Sequence, residues 1–251
     1  METTNVKNYL ATGRYQECLQ ACQKLLQSNP NSPLPWKFAG KSLLSLGELG
    51  KALHHLERAQ QLDETDPEII KDIGNIYFQL GEMDNATEWY MKALETNKNY
   101  APAINNLAHI KKLQGKNLEA LDLFKRAIRA DPQFVQAYVG SASCCHALGD
   151  LDKAEAFARQ AIKINARMTG VNEALGIILQ NKNNLQLAAE SYKKELAINP
   201  RATISLLNLG QLYLQQGETR EAIKFLSTAA ETNPSKQCSL LLAQAYQRIG
   251  Q

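Results

Sequence analysis

The sequence is poor in the features that mark most other classes of protein. No run approaches the roughly 18 apolar residues of a membrane-spanning helix, and residues 1–15 carry Glu2, Lys7 and Arg14 without a continuous apolar core, so neither a span nor a signal peptide is expected. Neither sign of charge is in excess. The balance of 28 basic against 25 acidic residues leaves a net +3, with Glu and Asp interleaved among the bases and no continuous basic stripe, which argues against nucleic acid and membrane surfaces as partners. The five cysteines (Cys18, Cys22, Cys144, Cys145 and Cys238) are odd in number and contain no CxxC pair. That excludes a disulfide framework and fits a reducing, cytoplasmic compartment. Cys18 and Cys22 lie one helical turn apart and read as small core fillers rather than metal ligands. Histidine is scarce. His54 and His55 read as solvated, and His109 and His146, in adjacent units, lack an acidic residue at i+4 and any HExxH or GxSxG context. No GxxxxGK loop is present, so no catalytic residue, metal or cofactor is assigned and no enzyme activity is expected. Eight prolines and 7% aromatics leave a composition that favours helix.

What the chain does have is a register. Gly13, Gly47, Gly81, Gly115, Gly149 and Gly217 stand 34 residues apart or at a multiple of it, and the missing rung is Asn183, which also tolerates a left-handed turn. A period in this range means stacked repeats, each touching only its neighbours. With the glycine at position 15, the units run 1–32, 33–66, 67–100, 101–134, 135–168, 169–202, 203–236 and a partial 237–251, taken as one domain. Position 20 holds Cys18, Ala52, Ala86, Ala120, Ala154, Ala188 and Ala222, and position 8 is nearly as small, from Val6 and Gly40 to Gly210. Small columns mark the closest approach of two packed helices, and bulky residues at position 24 (Leu56, Tyr90, Phe124, Tyr192, Leu226) fill the space beside them.

Each unit spells two amphipathic helices. Glu68–Leu80 places Ile69, Ile70, Ile73, Ile76, Tyr77 and Leu80 on one side, Gly81 ends it, and Asp84–Thr96 follows after a connection short enough to force an antiparallel hairpin. Asn-Pro or Asp-Pro closes several units. Two departures stand out. Glu195 replaces an alanine column (Ala59, Ala93, Ala127, Ala161) and is expected to snorkel, to pair with Lys193 or Lys194, or to mark a looser junction. Gly170 and Ala166 in the same region add to an expected irregularity around residues 165–200.

These motifs resemble the tetratricopeptide repeat (TPR) family: Trp36-x2-Ala39-Gly40, Leu209-Gly210-x2-Tyr213, and Ala120-x3-Phe124 with Pro132. The resemblance covers essentially the whole chain. It implies an all-α, right-handed superhelical solenoid of about 15 helices, whose first helices line a concave groove that binds protein. Groove positions hold Lys7, Lys37, Lys41, Lys71, Asn75, Asn105, Asn106, His109 and Lys112, opposed by Glu68 and Asp72. They read either as a solvated face or as a basic, amide-rich trough for an extended acidic segment. Lys71, Asn75 and Asn106 match carboxylate-holding positions of chaperone-binding members, where Gln136 and Gly140 depart from the pattern. Asn106 and Asn208 match an asparagine ladder that Phe38, Asp72, Gly140 and Ala174 interrupt.

The expected function is a protein-interaction scaffold. The alternative is a non-catalytic substrate-recruiting or dimerisation domain of a larger transferase- or hydroxylase-type enzyme, with its catalytic part beyond residue 251. The stripe Leu240, Leu241, Ala243, Tyr246 and Ile249 is expected to pack on the preceding hairpin with its other side uncovered. The chain is therefore expected to be a piece of a longer protein, with self-association through the terminal helices left open.

Overall fold

The breaks between helices follow from a few recurring side chains. The computed structural model describes residues 2–250, with side chains from Asn5 onward; Met1 and Gln251, the ends of the unit scheme, lie outside the described residues. Among the described residues there are fifteen helices and no strand. They fall into two compact units that divide at Gly115.

The first unit holds α1 (Glu2–Ala11), α2 (Tyr15–Ser28), α3 (Pro33–Ser45), α4 (Leu49–Leu62), α5 (Pro67–Gln79), α6 (Met83–Thr96) and α7 (Ala101–Leu113). Here α3 pairs with α4 and α5 with α6, and each pair packs on the next through α4 on α5 and α6 on α7. Proline starts α3 and α5, where its missing N–H has no helical acceptor to lose, and the Asp66 carboxylate caps α5 by accepting from the Glu68 N–H at 2.8 Å. Gly81 ends the α5 turn at φ +82°, with Glu82 N–H bonded back to Tyr77 O at 2.9 Å. A column that the glycine register hides ends every second helix: Asn29, Asp63, Asn97, Asp131, Asn165, Asn199 and Asn233. In six of these, all but Asn233, the side-chain oxygen accepts the N–H two residues on, at 2.9–3.3 Å. That Asx turn reverses the chain with or without the following proline.

The small columns work as read. A Cβ on Gly74 would sit 2.7 Å from the Tyr90 ring, and one on Gly40 2.6 Å from Leu56 Cγ, so only glycine lets these hairpins close. Ala52, Ala86 and the other position-20 alanines are fully buried, as are all five cysteines or nearly so. Leu80, assigned to the apolar side, is 50% exposed, because it sits on the helix cap where the chain has turned past the core.

The second unit holds α8 (Asn117–Ala130), α9 (Val135–Ala147), α10 (Leu151–Ile164), α11 (Val171–Asn181), α12 (Leu185–Ile198), α13 (Thr203–Gln216), α14 (Thr219–Thr232) and α15 (Lys236–Ile249). Asn183 takes φ +61°, the one non-glycine residue with positive φ among those described. The irregularity expected around 165–200 is present. The first helices α3, α5, α7, α9 and α13 begin at position 1 of their unit, but α11 begins at Val171, two residues late, after Gly170 in a left-handed conformation at φ +85°. Glu195 explains how, and neither lysine is its partner. Only 1% exposed, its Oε1 accepts from the Gly170 N–H at 2.6 Å.

Two further expectations need correction. In α15 the residues that pack are Cys238, Leu241, Leu242 and Ala245, while Leu240, Ala243, Tyr246 and Ile249 are exposed. The true apolar face is rotated, because Cys238 and Ala245 are the positions that meet α13 and α14. His54 and His55 are not simply solvated: both rings pack against Trp36, with His55 5.2 Å from it, centroid to centroid. Among the described residues no helix is long and apolar enough to cross a membrane.

Candidate functional site

The lysines and the asparagines of the N-terminal groove positions have different environments. Lys37 is 8% exposed, and its ammonium meets Asp66 at 2.7 Å and also Glu68. Lys41 meets Glu68 and lies 4.0 Å from Asp72, and Lys71 donates to Asp72. Three cations and three carboxylates thus compensate one another on the α3 and α5 faces. Burial alone would push the Glu68 carboxyl up, but Lys37 and Lys41 outweigh it and hold it at about 2. Burial likewise disfavours the charged Lys37, yet Asp66 and Glu68 hold it above its ordinary value. Lys37, Lys41 and Lys71 are therefore already neutralised from within.

The amides lie next to this network and converge. Asn75 Oδ1 accepts from the Tyr90 hydroxyl at 2.9 Å and from Asn106 Nδ2 at 2.8 Å, and Asn75 Nδ2 donates to Asp72 Oδ1 at 3.1 Å. Asn105 is buried at 5% exposure and donates to Asn106 Oδ1 at 3.3 Å, so it positions its neighbour and does not face solvent. Each of Asn75 and Asn106 keeps a second amide N–H beyond these bonds. Beside them a cavity of about 440 Å³ opens between α5 and α7, lined by Asn75, Gln79, Tyr90, Asn106, His109 and Lys112, with Phe78 and Leu113 as its apolar walls. Burial, and then the charge of Lys112, depress the His109 pKa, so its imidazole is neutral at pH 7. Burial raises the Tyr90 phenol, which remains a donor.

Four expected groove residues (Asn75, Asn106, His109 and Lys112) are thus brought to one cavity. Lys37, Lys41 and Lys71 are held in the ion network, and Lys7 is exposed elsewhere on α1. His146 instead contacts Asn181. In the second unit Asn208 reproduces part of the arrangement: its Nδ2 donates to the Tyr192 hydroxyl at 3.1 Å, which donates to Gln180 Oε1 at 2.8 Å.

Tyr90, Phe78, Gln79 and Leu113 escaped the sequence reading, since Tyr90 counts there as a core filler. A signal for it exists. Position 24 of one unit meets position 6 of the next, sixteen residues on, and the pairs are complementary: Tyr90 with Asn106, Tyr192 with Asn208, Phe124 with Gly140. A tyrosine followed at that offset by asparagine marks a phenol that reaches between two first helices.

Three models of the family match the chain, described as tetratricopeptide repeat over residues 106–168 and 181–251 and as TPR repeat over 74–115. Among curated proteins, human tetratricopeptide repeat protein 6 is 27% identical over 127 residues, 51% of this chain and 24% of its own length. The BBSome complex member BBS4 of Bos taurus is 28% identical over 130 residues, 51% of this chain and 25% of its own. The chain thus spans about a quarter of the length of these relatives. Among solved structures, the APC/C hetero-tetramer Cut9-Hcn1 superposes with a TM-score of 0.85 at 14% identity, covering 97% of this chain and 48% of that one. With its register, helical hairpins and small columns, the chain belongs to the tetratricopeptide repeat family.

Proposed function

We propose that this chain is a non-catalytic protein-interaction scaffold that holds an extended segment of a partner protein against α5 and α7. The observation that carries this reading is the convergence of Asn75, Asn106 and Tyr90 on a cavity with apolar walls. The spare amide groups of the two asparagines pair with a peptide backbone without regard to its sequence. One partner side chain inserts between Phe78 and Leu113, and Lys112, for which no compensating carboxylate lines the cavity, favours an acidic neighbour. The network of Lys37, Lys41, Lys71, Asp66, Glu68 and Asp72 fixes α3 against α5 and adds little net charge to the ligand. The bovine BBSome complex member and the APC/C hetero-tetramer are by their names parts of assemblies, which agrees with a scaffold role.

The test uses the full chain and extended peptides selected against it by display. Asn106→Ala and Lys112→Ala are each expected to weaken the selected peptides by about threefold to tenfold, the worth of one hydrogen bond or one rim charge. Unchanged affinity for both variants would remove the cavity from the reading.

A further inference from the structure

We infer that the second-helix face at α10–α12 carries a separate docking site, for a polypeptide segment that presents an apolar side chain flanked by carboxylates. The late start of α11 withdraws two residues from this junction, and a cavity of about 600 Å³ lies between α10, the loop after it, the first turns of α11, and α12. Its floor is apolar, with Ile162, Leu175 and Ile198 half-buried or buried. Lys163, Arg167 and Lys194 rim it, and no acidic residue lines it.

These three bases differ from the paired lysines at the starts of α4, α10 and α14. Lys51, Lys153 and Lys224 each reach a carboxylate three residues back, at 2.5–2.6 Å. Lys163, Arg167 and Lys194 make no side-chain hydrogen bond or ion pair among the described residues, whereas Arg159, also at the edge, is committed to Glu155. The wall is preorganised. Glu195 holds the Gly170 N–H, and Asn172, 4% exposed, donates from Nδ2 to Ala166 O at 3.2 Å. A loop held from both ends loses little entropy when a ligand arrives.

An apolar floor under an uncompensated basic rim selects a ligand that is apolar at its centre and acidic at its edges. No aromatic side chain lines the cavity, so bases of a nucleic acid would find nothing to stack on. A recessed floor also admits a single protruding side chain better than a flat lipid surface.

The test measures binding of a labelled helical peptide, with leucines at i and i+4 and glutamates on either side, to the full chain by fluorescence anisotropy. Its leucine-to-serine counterpart, a single-stranded oligonucleotide and anionic vesicles are run in parallel. Lys163→Glu, Arg167→Glu and Lys194→Glu together are expected to weaken the leucine peptide by about tenfold or more. Ala197→Trp, which fills the cavity from its exposed edge, is expected to do the same while leaving the rim charges in place. Circular dichroism confirms that each variant is folded. The same reversal at Lys24, Lys51 and Lys236 is expected to leave the affinity within about twofold. The inference is overturned if the leucine peptide does not bind, if the serine peptide binds as well, if the control set weakens binding equally, or if the oligonucleotide or vesicles bind through these bases while the peptide does not.

Discussion

Glu195 stands where Ala59, Ala93, Ala127, Ala161 and Ala229 stand in other units, each fully buried. Its Oε1 takes up the Gly170 N–H at 2.6 Å, while Oε2 is buried with no hydrogen-bond partner among the described residues. Opposing terms therefore compete in Glu195→Ala. Removing the acceptor strands a backbone N–H at a cost of about 1–3 kcal/mol, and truncation to the Cβ also deletes the packed Cγ methylene at about 1 kcal/mol. Against this, the orphaned Oε2 disappears, relieving about 1–3 kcal/mol of desolvation. The methylene term tips the balance, so Glu195→Ala is expected to destabilise the junction by about 1 kcal/mol. Glu195→Gln keeps an oxygen acceptor for Gly170 and the methylenes, and is expected to cost less than about 1 kcal/mol. Because repeat arrays open locally, native-state hydrogen exchange is the right assay: Gly170, Val171 and the amides of the first turn of α11 should lose protection in Glu195→Ala while α13 and α14 keep theirs. Unchanged or increased protection at Gly170 would refute the reasoning, since the bond would then contribute nothing beyond the cost of its partnerless oxygen.

Stability should respond to acid through Glu68. Its folded pKa, about 2, lies below the ordinary 4.5, so its contribution is complete above pH 4.5 and is lost as the pH falls towards 2. Unscreened, that shift is worth about 3 kcal/mol, but with 36% of the side chain in water about 1 kcal/mol is the expected size. Thermal melts of Glu68→Gln should lack this part of the acid limb, and an unaltered limb would assign it to other carboxylates. The two kinds of glycine should separate by substitution to asparagine. Gly81→Asn, at φ +82° with nothing within 4 Å of a new Cβ, should cost about 0.5 kcal/mol or less in urea titrations, since Asn183 already serves in that turn. Gly74→Asn would drive a side chain into the Tyr90 ring 2.7 Å away and should cost about 3 kcal/mol or more. Comparable losses at both would mean that close packing does not distinguish the columns.

The fold was legible because one period organises it. Gly81, Asn183 and the position-20 alanines could be assigned column by column, and the irregular unit was visible from Gly170, Ala166 and Glu195. How that unit closes was not visible, since Glu195 and Gly170 are 25 residues apart and their bond exists only once the hairpin forms. The same limit concealed the state of the lysines. Lys37 and Lys41 have no carboxylate within helical reach, and their partners, Asp66 at the far end of their own unit and Glu68 at the start of the next, come 27–29 residues later and are brought near only when the helices pack. Tyr90 was hidden differently, because its ring is core while its hydroxyl reaches the cavity, and reading the column by size alone discards that atom.

The central claim is that a partner segment lies along α5 and α7 over the Asn75–Asn106 cavity. Hydrogen exchange on the full chain, with and without a display-selected peptide, tests it most directly. Slowed exchange concentrated in 67–79 and 101–113 is the expected result, with 83–96 and 236–249 unchanged. Slowing confined to the second helices or to α15, with none in α5 and α7, would contradict it.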